Sequence, residues 1–248
     1  MYSERPARLP HVIAWRARSE PGPGGGRVLP DGCMDLIWHE GTVFLAGPDT
    51  TAQVFERSVG GRLFGLRFAA GTLAQVTGIP ADELTDRQVP LDAIWPAAEV
   101  RRLAEAADPA AALEEAAGRR FEPPDPALVE LAGWARAGWS VDAMSARLGL
   151  SARQLQRRVR AGFGYGPKHL VRVLRLQRAL GLARAGTPFA EVSAVAGYAD
   201  QAHLSREVRA LAGVPLGELI RRRSGGQPFN QANRSTTRPS GSRTWAYR

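Results

Sequence analysis

One segment of the chain concentrates arginine and glutamine side chains on a single predicted helix. It runs from Ala152 to Ala161, where Leu155 and Val159 stand four residues apart and predict one narrow buried seam. Arg can bind guanine through two hydrogen bonds, and Gln can bind adenine in the same way. This composition therefore predicts a recognition helix, with a merely solvated charged face as the alternative. The candidate DNA-contacting residues here are Arg153, Gln156, Arg157 and Arg160.

A second segment of the same kind follows further along the chain. The turn Gly197–Ala199 leads to Asp200, which can cap a helix over Gln201 to Leu211. Leu204 and Val208 are predicted to be buried in that helix, together with its last residue. The side chains left available to DNA are Gln201, Ala202, Ser205, Arg206 and Arg209.

The N-terminal half holds a third group with reactive side chains, Asp31, Cys33, Asp35 and His39. Alternation along a strand would place the first three on one face. Such ligands crowded into one strand suit none of the usual metal sites, and a cysteine nucleophile needs a lowered pKa and a positioned base. A buried structural cysteine is favoured, so no catalytic residue, metal ligand or cofactor is assigned. If this half holds an effector pocket, its candidate residues are Trp38, Arg67 and Asp35.

Turn and cap residues predict how the two basic helices are positioned. Ser140 can cap the helix before the first one, in which Val141, Met144, Ala146 and Leu148 could face a core. Gly149 suits the left-handed residue that ends that helix, and Ser151 with Gln154 forms a capping box for the next. In the second unit Thr187 is predicted to cap a helix whose first residue is Pro188, with Phe189, Val192, Val195 and Ala196 as its apolar stripe.

A single helix is predicted to join these two helix-turn-helix corners. It covers Lys168 to Ala185, about 27 Å at 1.5 Å per residue. Successive major-groove faces on one side of B-DNA lie about 34 Å apart. The joining helix therefore has the length to hold two recognition helices about one turn of DNA apart.

The N-terminal half is predicted to form short strands followed by helices. Aromatic and β-branched runs separated by glycine predict strands over 33–38, 42–46, 53–57 and 63–68. Residues 70–78, 80–84 and 97–121 are predicted to be helical. The fold class is therefore α+β: a small antiparallel β-sheet or cupin-like barrel with helices, then an all-α domain of two helix-turn-helix units joined by a linker helix.

Proline, glycine and polar residues predict the boundaries between these parts. Pro21–Gly26 is predicted to be a loop, and Phe121–Pro126 cannot continue a helix. The expected organisation is an N-terminal domain over 1–122, a linker over 123–127, a DNA-binding domain over 128–223 and a disordered tail over 224–248.

The formal net charge of +9 is distributed unevenly along the 248 residues. Residues 1–125 hold 13 Arg against 18 acidic residues, whereas residues 126–223 hold 16 basic residues against 6 acidic ones. Such segregation is typical of a chain of which one part approaches phosphate. The single cysteine excludes an internal disulfide, and the lack of a signal peptide or apolar span indicates a cytoplasmic, nucleoid-associated protein with no membrane partner.

At the level of whole segments, the C-terminal half resembles the AraC/XylS family of transcriptional regulators. The resemblance covers about residues 128–223 and is carried by 150–159, 166–179 and 197–206. It implies base contacts from Arg153, Gln156 and Arg157 in the first helix and from Gln201, Ala202, Ser205 and Arg206 in the second. His203 and Arg172 would lie nearer the DNA backbone. The chain departs from the family where Leu204 and Val208 replace the usual aromatic residues, and where Ala202 offers no hydrogen bond.

The N-terminal half resembles an uncharacterised domain found on some AraC-type proteins, through 29–38, 46–48, 65–68 and 78–86. That resemblance implies sensing of a small molecule or dimerisation. The expected function is sequence-specific, non-enzymatic regulation of transcription through double-stranded DNA, with a small-molecule effector, RNA polymerase and a homodimer partner as further expectations. The alternative is a Cys33-dependent enzyme or methyl-acceptor repair protein that the basic half delivers to DNA.

Overall fold

The computed structural model describes residues 2–18, 26–55 and 61–221. The predicted disordered tail over 224–248, most of the predicted loop over 21–26 and the end of the predicted strand over 53–57 lie outside these ranges. Gly26 itself is the first residue of a strand.

A six-stranded antiparallel sheet forms the centre of the N-terminal half, in the order β1-β2-β7-β4-β5-β8. A second sheet pairs β3 with β6. The strands are β1 Tyr2–Pro6, β2 Val12–Arg18, β3 Gly26–Val28, β4 Met34–His39, β5 Thr42–Ala46, β6 Gln53–Phe55, β7 Arg62–Phe68 and β8 Gln88–Pro90.

The alternation of side chains along β4 places the main core on one face of this sheet. Met34, Leu36 and Trp38 are buried there, against helices α2 Ala97–Ala104 and α3 Pro109–Gly118. The opposite face carries a smaller cluster around Trp15 and Ile37. The predicted small antiparallel sheet with helices is confirmed.

Some elements of the N-terminal half differ from the sequence prediction. Strands β1, β2, β3 and β8 were not predicted, because β1, β3 and β8 are short and contain few buried residues, and β2 begins with the continuous apolar run over 12–15. The helix predicted over 70–78 is only α1, Ala74–Thr77, and 80–84 contains a 3-10 turn over Ala81–Glu83. The helix predicted over 97–121 is broken, because Asp108 caps α3 with its side chain and Pro109 cannot continue the preceding helix.

Seven helices form the described C-terminal half. Their bounds agree with the predicted two units and joining helix, and the cap of α5 by the Ser140 side chain is confirmed. The helices are α4 Pro126–Ala137, α5 Val141–Leu148, α6 Ala152–Phe163, α7 Pro167–Arg184, α8 Phe189–Ala196, α9 Gln201–Ala212 and α10 Leu216–Arg221.

Three details of these helices correct the prediction. Pro188, not Thr187, is the N-cap of α8, and no side chain caps that helix. Val195 is 41% exposed, because the buried stripe of α8 consists of Val192, Ser193 and Ala196. Ala146 is likewise exposed, and Met144 alone of the predicted positions on α5 is fully buried.

Within the described ranges, no helix combines the length and the apolar character that crossing a membrane would require.

Candidate nucleic-acid interface

The first candidate recognition helix, α6, is anchored by its cap and by two buried side chains. Gly149 adopts a positive φ of 64°, and the Ser151 hydroxyl accepts a hydrogen bond from the Gln154 backbone N–H. The Gln154 side chain accepts in return from the Ser151 backbone N–H, so the predicted capping box is confirmed. Leu155 and Val159 are completely buried. This seam fixes the rotation of α6 about its axis and leaves its basic face in solvent.

The four candidate residues on α6 are all exposed, but their surroundings differ. Among the described residues, Arg153 and Arg157 have no hydrogen-bond or ion-pair partner. The side-chain amide of Gln156 packs against Gly166, so closely that a Cβ at position 166 would lie 2.6 Å from the Gln156 Nε2 atom. Arg160 lies 3.7 Å from a carboxylate oxygen of Asp82, in the N-terminal half.

The second candidate recognition helix, α9, is capped by an acidic side chain. A carboxylate oxygen of Asp200 accepts a 2.6 Å hydrogen bond from the His203 backbone N–H. The His203 ring accepts a 3.2 Å hydrogen bond at Nδ1 from the Ala199 backbone N–H, and it packs edge-on against Tyr198. His203 therefore stabilises the turn before α9, a role that the sequence prediction did not assign.

The remaining candidate residues of α9 lie on its exposed face. Gln201, Ala202 and Arg206 are exposed, and Arg206 has no ion-pair partner among the described residues. The Ser205 hydroxyl, also exposed, donates to the Gln201 carbonyl at 2.9 Å. Buried Leu204, Val208 and Leu211 hold the opposite face, as predicted.

Arg172 of α7 is bound by an acidic residue that the sequence prediction missed. Its guanidinium donates to both carboxylate oxygens of Glu207, at 2.8 and 3.2 Å. Partial burial alone would raise the pKa of Glu207, but the hydrogen bonds and positive charge of Arg172 hold it below its ordinary value. Arg172 therefore fixes α9 against α7 in this structure, and the contact to the DNA backbone implied for it stays a prediction.

The N-terminal half contacts both recognition helices at their C-terminal ends. On α9, the Ala52 backbone N–H donates to the Leu211 carbonyl at 2.8 Å, and Arg27 donates to the Ala212 carbonyl at 2.7 Å. After α6, the Thr85 hydroxyl donates to the Gly164 carbonyl at 2.8 Å. The N-terminal half therefore fixes the C-terminal ends of both helices, and their first turns stay exposed to solvent.

The joining helix α7 is bound by the same half of the chain. Gln177 donates a buried 2.6 Å hydrogen bond to the Pro30 carbonyl, and the His169 ring lies 3.1 Å from the Thr50 carbonyl. Leu29 is buried in the apolar cluster of the second unit, and Ala70 in that of the first. These contacts connect the N-terminal half to both units at once.

The reactive residues of the N-terminal half are divided between a turn and strand β4. Strand β4 begins at Met34, so Asp31 and Cys33 lie in the turn before it, which corrects the prediction that they share one strand face with Asp35. The Cys33 backbone N–H donates to the Asp31 carboxylate at 2.8 Å. Burial raises the pKa of the Cys33 thiol, which disfavours the nucleophilic thiolate. In the described ranges, no group of His, Cys, Asp and Glu side chains is arranged to hold a metal ion.

Of the three residues suggested for an effector pocket, Asp35 and Arg67 lie together and Trp38 lies apart from them. Asp35 and Arg67 face each other across β4 and β7 and form an ion pair at 3.2 Å, and the Trp15 indole donates to Asp35 at 2.6 Å. Trp38 points into the main core on the other face of the sheet and donates to the Ala104 carbonyl at 3.0 Å. The Asp35–Arg67 pair is mostly buried and explains the polar residues on an otherwise apolar sheet face.

Two protein-family models match separate parts of the chain. Residues 144–222 match a helix-turn-helix domain, and residues 9–90 match a domain of unknown function (DUF6597). The chain carries an AraC-type helix-turn-helix domain. The resemblance identified in both halves of the sequence is confirmed, and the AraC-type domain makes the chain a DNA-binding regulator of transcription.

Solved structures with the same fold include ToxT from Vibrio cholerae, at 10% identity and a TM-score of 0.50, covering 87% of this chain and 99% of ToxT. A probable AraC family transcriptional regulator from Rhodopseudomonas palustris matches at 23% identity and a TM-score of 0.35, covering 40% of this chain and 97% of the other. The C-terminal domain of AraT, a response regulator from Geobacillus stearothermophilus, matches at 19% identity and a TM-score of 0.37, covering 44% and 96%. No protein of curated function matches the sequence.

Proposed function

We propose that this regulator reads a specific DNA sequence with α6 and α9, inserted into successive major-groove segments by one chain. The observation that carries the proposal is the shared orientation of the two helices. Each has its C-terminal end held by the N-terminal half and its capped first turns exposed. The first turns of a recognition helix are the part that reaches base edges in a helix-turn-helix complex.

In the proposed complex, α6 supplies most of the hydrogen-bond donors. Arg153 and Arg157 are free to form bidentate contacts with guanine, and the Gln156 amide suits adenine. On α9, Gln201, Ser205 and Arg206 contact bases, and the Ala202 methyl contacts a thymine methyl. Arg160, Arg172 and His203 are assigned to the backbone side of the interface.

The length of α7 supports simultaneous binding by both helices. Its 18 residues span about 27 Å. The helix-turn-helix units attached to its two ends are expected to supply the rest of the roughly 34 Å between successive major-groove segments. The contacts of the N-terminal half to both units and to α7 restrict changes in that spacing.

The N-terminal half is proposed as the part that senses a small molecule or pairs with a second copy. We propose that its boundary with the DNA-binding domain lies at 123–127, a range that overlaps the irregular residues 121–125 and the first two residues of α4. A bound effector would act on DNA affinity through the same contacts with α6, α7 and α9. The alternative role of Cys33 in a DNA-directed reaction is tested by Cys33→Ser, which is expected to leave DNA binding and regulation unchanged.

Selection of binding sites from a randomised duplex library with the full chain tests this function. The expected result is an enriched bipartite motif with two half-sites about 10–10.5 base pairs apart, centre to centre. Binding without any enriched motif would contradict sequence-specific reading, whatever its affinity. A motif confined to one half-site would contradict the role of the second helix.

A further inference from the structure

Three arginines meet in a small cleft between the two helix-turn-helix units. Arg136 enters it from α4, and Arg175 and Arg178 enter it from α7. The rest of the lining is small or apolar, and none of the described residues that line the cleft is acidic. Gly138 and Gly197 also line it and contribute no side chain that would obstruct entry.

The partners of these arginines leave positive charge uncompensated. Arg175 donates to the Gly197 carbonyl at 3.1 Å, lies over the Tyr198 ring and is 3.8 Å from a carboxylate oxygen of Glu207. Arg136 and Arg178 have no ion pair among the residues that the structure describes. The Nε atoms of Arg136 and Arg175 are buried without a hydrogen-bond acceptor.

The balance of local charges favours an anion in this cleft. Helices α4 and α8 both end there, and each helix C-terminus contributes roughly half a negative charge. Three guanidinium groups exceed that contribution by about two charges. Glu207 is already held by the two hydrogen bonds of Arg172, which neutralises most of its effect on Arg175.

The position of the cleft indicates which anion it meets. Gly138 lies just before α5, the first helix of a unit, and such helices cross the DNA backbone. Gly197 lies in the turn that leads into α9. The cleft therefore lies between the ends of the two units that approach DNA. We infer that Arg136 and Arg178 hold a phosphodiester of the DNA strand between the two half-sites, an inference that rests on the proposed binding by both helices.

A thermodynamic cycle with the full chain, in which arginine substitutions are combined with uncharged linkages in the DNA backbone, tests this site. Wild type and Arg136→Gln/Arg178→Gln are titrated with the selected duplex, made either with normal linkages or with methylphosphonates midway between the half-sites. Both the arginine change and the methylphosphonate change are expected to weaken binding, and the second is expected to have no further effect once the first is made. The slope of log K against log salt is expected to fall by about 0.9 for each phosphate that the protein no longer neutralises. Base preference is expected to stay unchanged.

Matched variants separate this site from a general charge effect. Arg101→Gln/Arg102→Gln removes two exposed charges from α2, far along the chain from the cleft, and is expected to leave the slope unchanged. Arg178→Lys keeps the positive charge, so it is expected to recover most of the affinity and salt slope that Arg178→Gln loses. Because Arg178 is exposed, these two single variants can be used if the double variant unfolds at a low temperature.

The outcomes distinguish the site from the proposed function. An enriched bipartite motif with an unchanged salt slope in the double variant would overturn the site and leave the function standing. Loss of slope without any enriched motif would support the phosphate site and contradict sequence reading. Equal slope losses in the cleft variant and the α2 variant would overturn the site. If inorganic phosphate stabilises the wild type and the methylphosphonates have no effect, the assignment to a DNA phosphodiester is wrong. The cleft would then be a site for a free anion.

Discussion

The two helix-turn-helix units share one local design but differ in surface charge. Each has a left-handed glycine in its turn, a side-chain cap and a 12-residue recognition helix with a buried apolar seam. Helix α6 carries four arginines and no acidic residue. Helix α9 carries two arginines and Glu207, which is bound to Arg172. The first unit is therefore expected to supply the larger share of the electrostatic affinity for DNA. The second unit is expected mainly to fix the position of the protein along the DNA.

The units also differ in how the N-terminal half holds them. The contacts after α6 involve side chains, from Thr85 to the Gly164 carbonyl and from Asp82 to Arg160. The contact to α9 combines a side-chain hydrogen bond from Arg27 to the Ala212 carbonyl with a main-chain hydrogen bond from the Ala52 N–H to the Leu211 carbonyl. A single substitution can remove each side-chain contact but not the main-chain hydrogen bond. The contacts to the first unit can therefore be removed more completely by substitution than the contacts to the second.

The largest expected effect is on the buried seams. Leu155→Ala is expected to lower the free energy of unfolding by about 2–5 kcal/mol, because Leu155 is completely buried. Leu204→Ala is expected to cost a similar amount, since Leu204 is 1% exposed. Chemical denaturation of the full chain measures both. An unchanged unfolding midpoint for either would show that the two seams do not anchor their helices equally.

The next effect is on base reading. Arg157→Ala and Arg206→Ala are each expected to cost about 1–3 kcal/mol on the selected site and to relax base preference in one half-site. The loss for Arg157 is expected to be the larger, because α6 has no acidic neighbour within the helix that offsets its charge. Titration against matched and mismatched duplexes measures both losses. Equal weakening on every sequence would reassign that arginine to phosphate.

A smaller effect is expected at the caps. Ser151→Ala and Asp200→Ala each remove an acceptor for a backbone N–H, which typically costs about 0.5–2 kcal/mol of stability. Thr187→Ala is the control, because no side chain caps α8. The unfolding midpoints are compared under one set of conditions. A loss in the Thr187 variant as large as in the cap variants would contradict the assignment of these caps.

The smallest expected effect is at the surface contact of the first unit. Asp82→Ala is expected to change stability by about 0–1 kcal/mol, because its ion pair with Arg160 is partly exposed and 3.7 Å long. DNA affinity is expected to rise slightly, since Arg160 is then free to face phosphate. Measurement at low and moderate salt checks the sign. Weaker binding would mean that Asp82 positions Arg160 productively.

Local signals in the sequence were sufficient to predict the two helix-turn-helix units and the helix that joins them. The cap at Ser151, the turn at Gly149 and the seam of Leu155 and Val159 each depend on residues within one or two helical turns. Strand β1 was missed because none of its five residues is buried, and β2 was missed because its first four residues are all apolar and hide the period of two.

The contacts between the halves could not be predicted from such local patterns. The hydrogen bond from Gln177 to Pro30 joins residues 147 positions apart, and the pairing of Arg172 with Glu207 joins two different helices. Neither leaves a periodic signal. The arginine cleft likewise combines residues from separate helices.

The spacing of the two half-sites is the most direct test of the claim that one chain reads two groove segments. Affinity of the full chain is measured for the selected duplex and for duplexes with five base pairs inserted between the half-sites, which turns the second half-site to the opposite face of DNA. The insertion is expected to lower affinity to that of a single half-site, because α7 and the contacts of the N-terminal half fix the distance between α6 and α9. Unchanged affinity after the insertion would contradict the claim that one chain reads two groove segments.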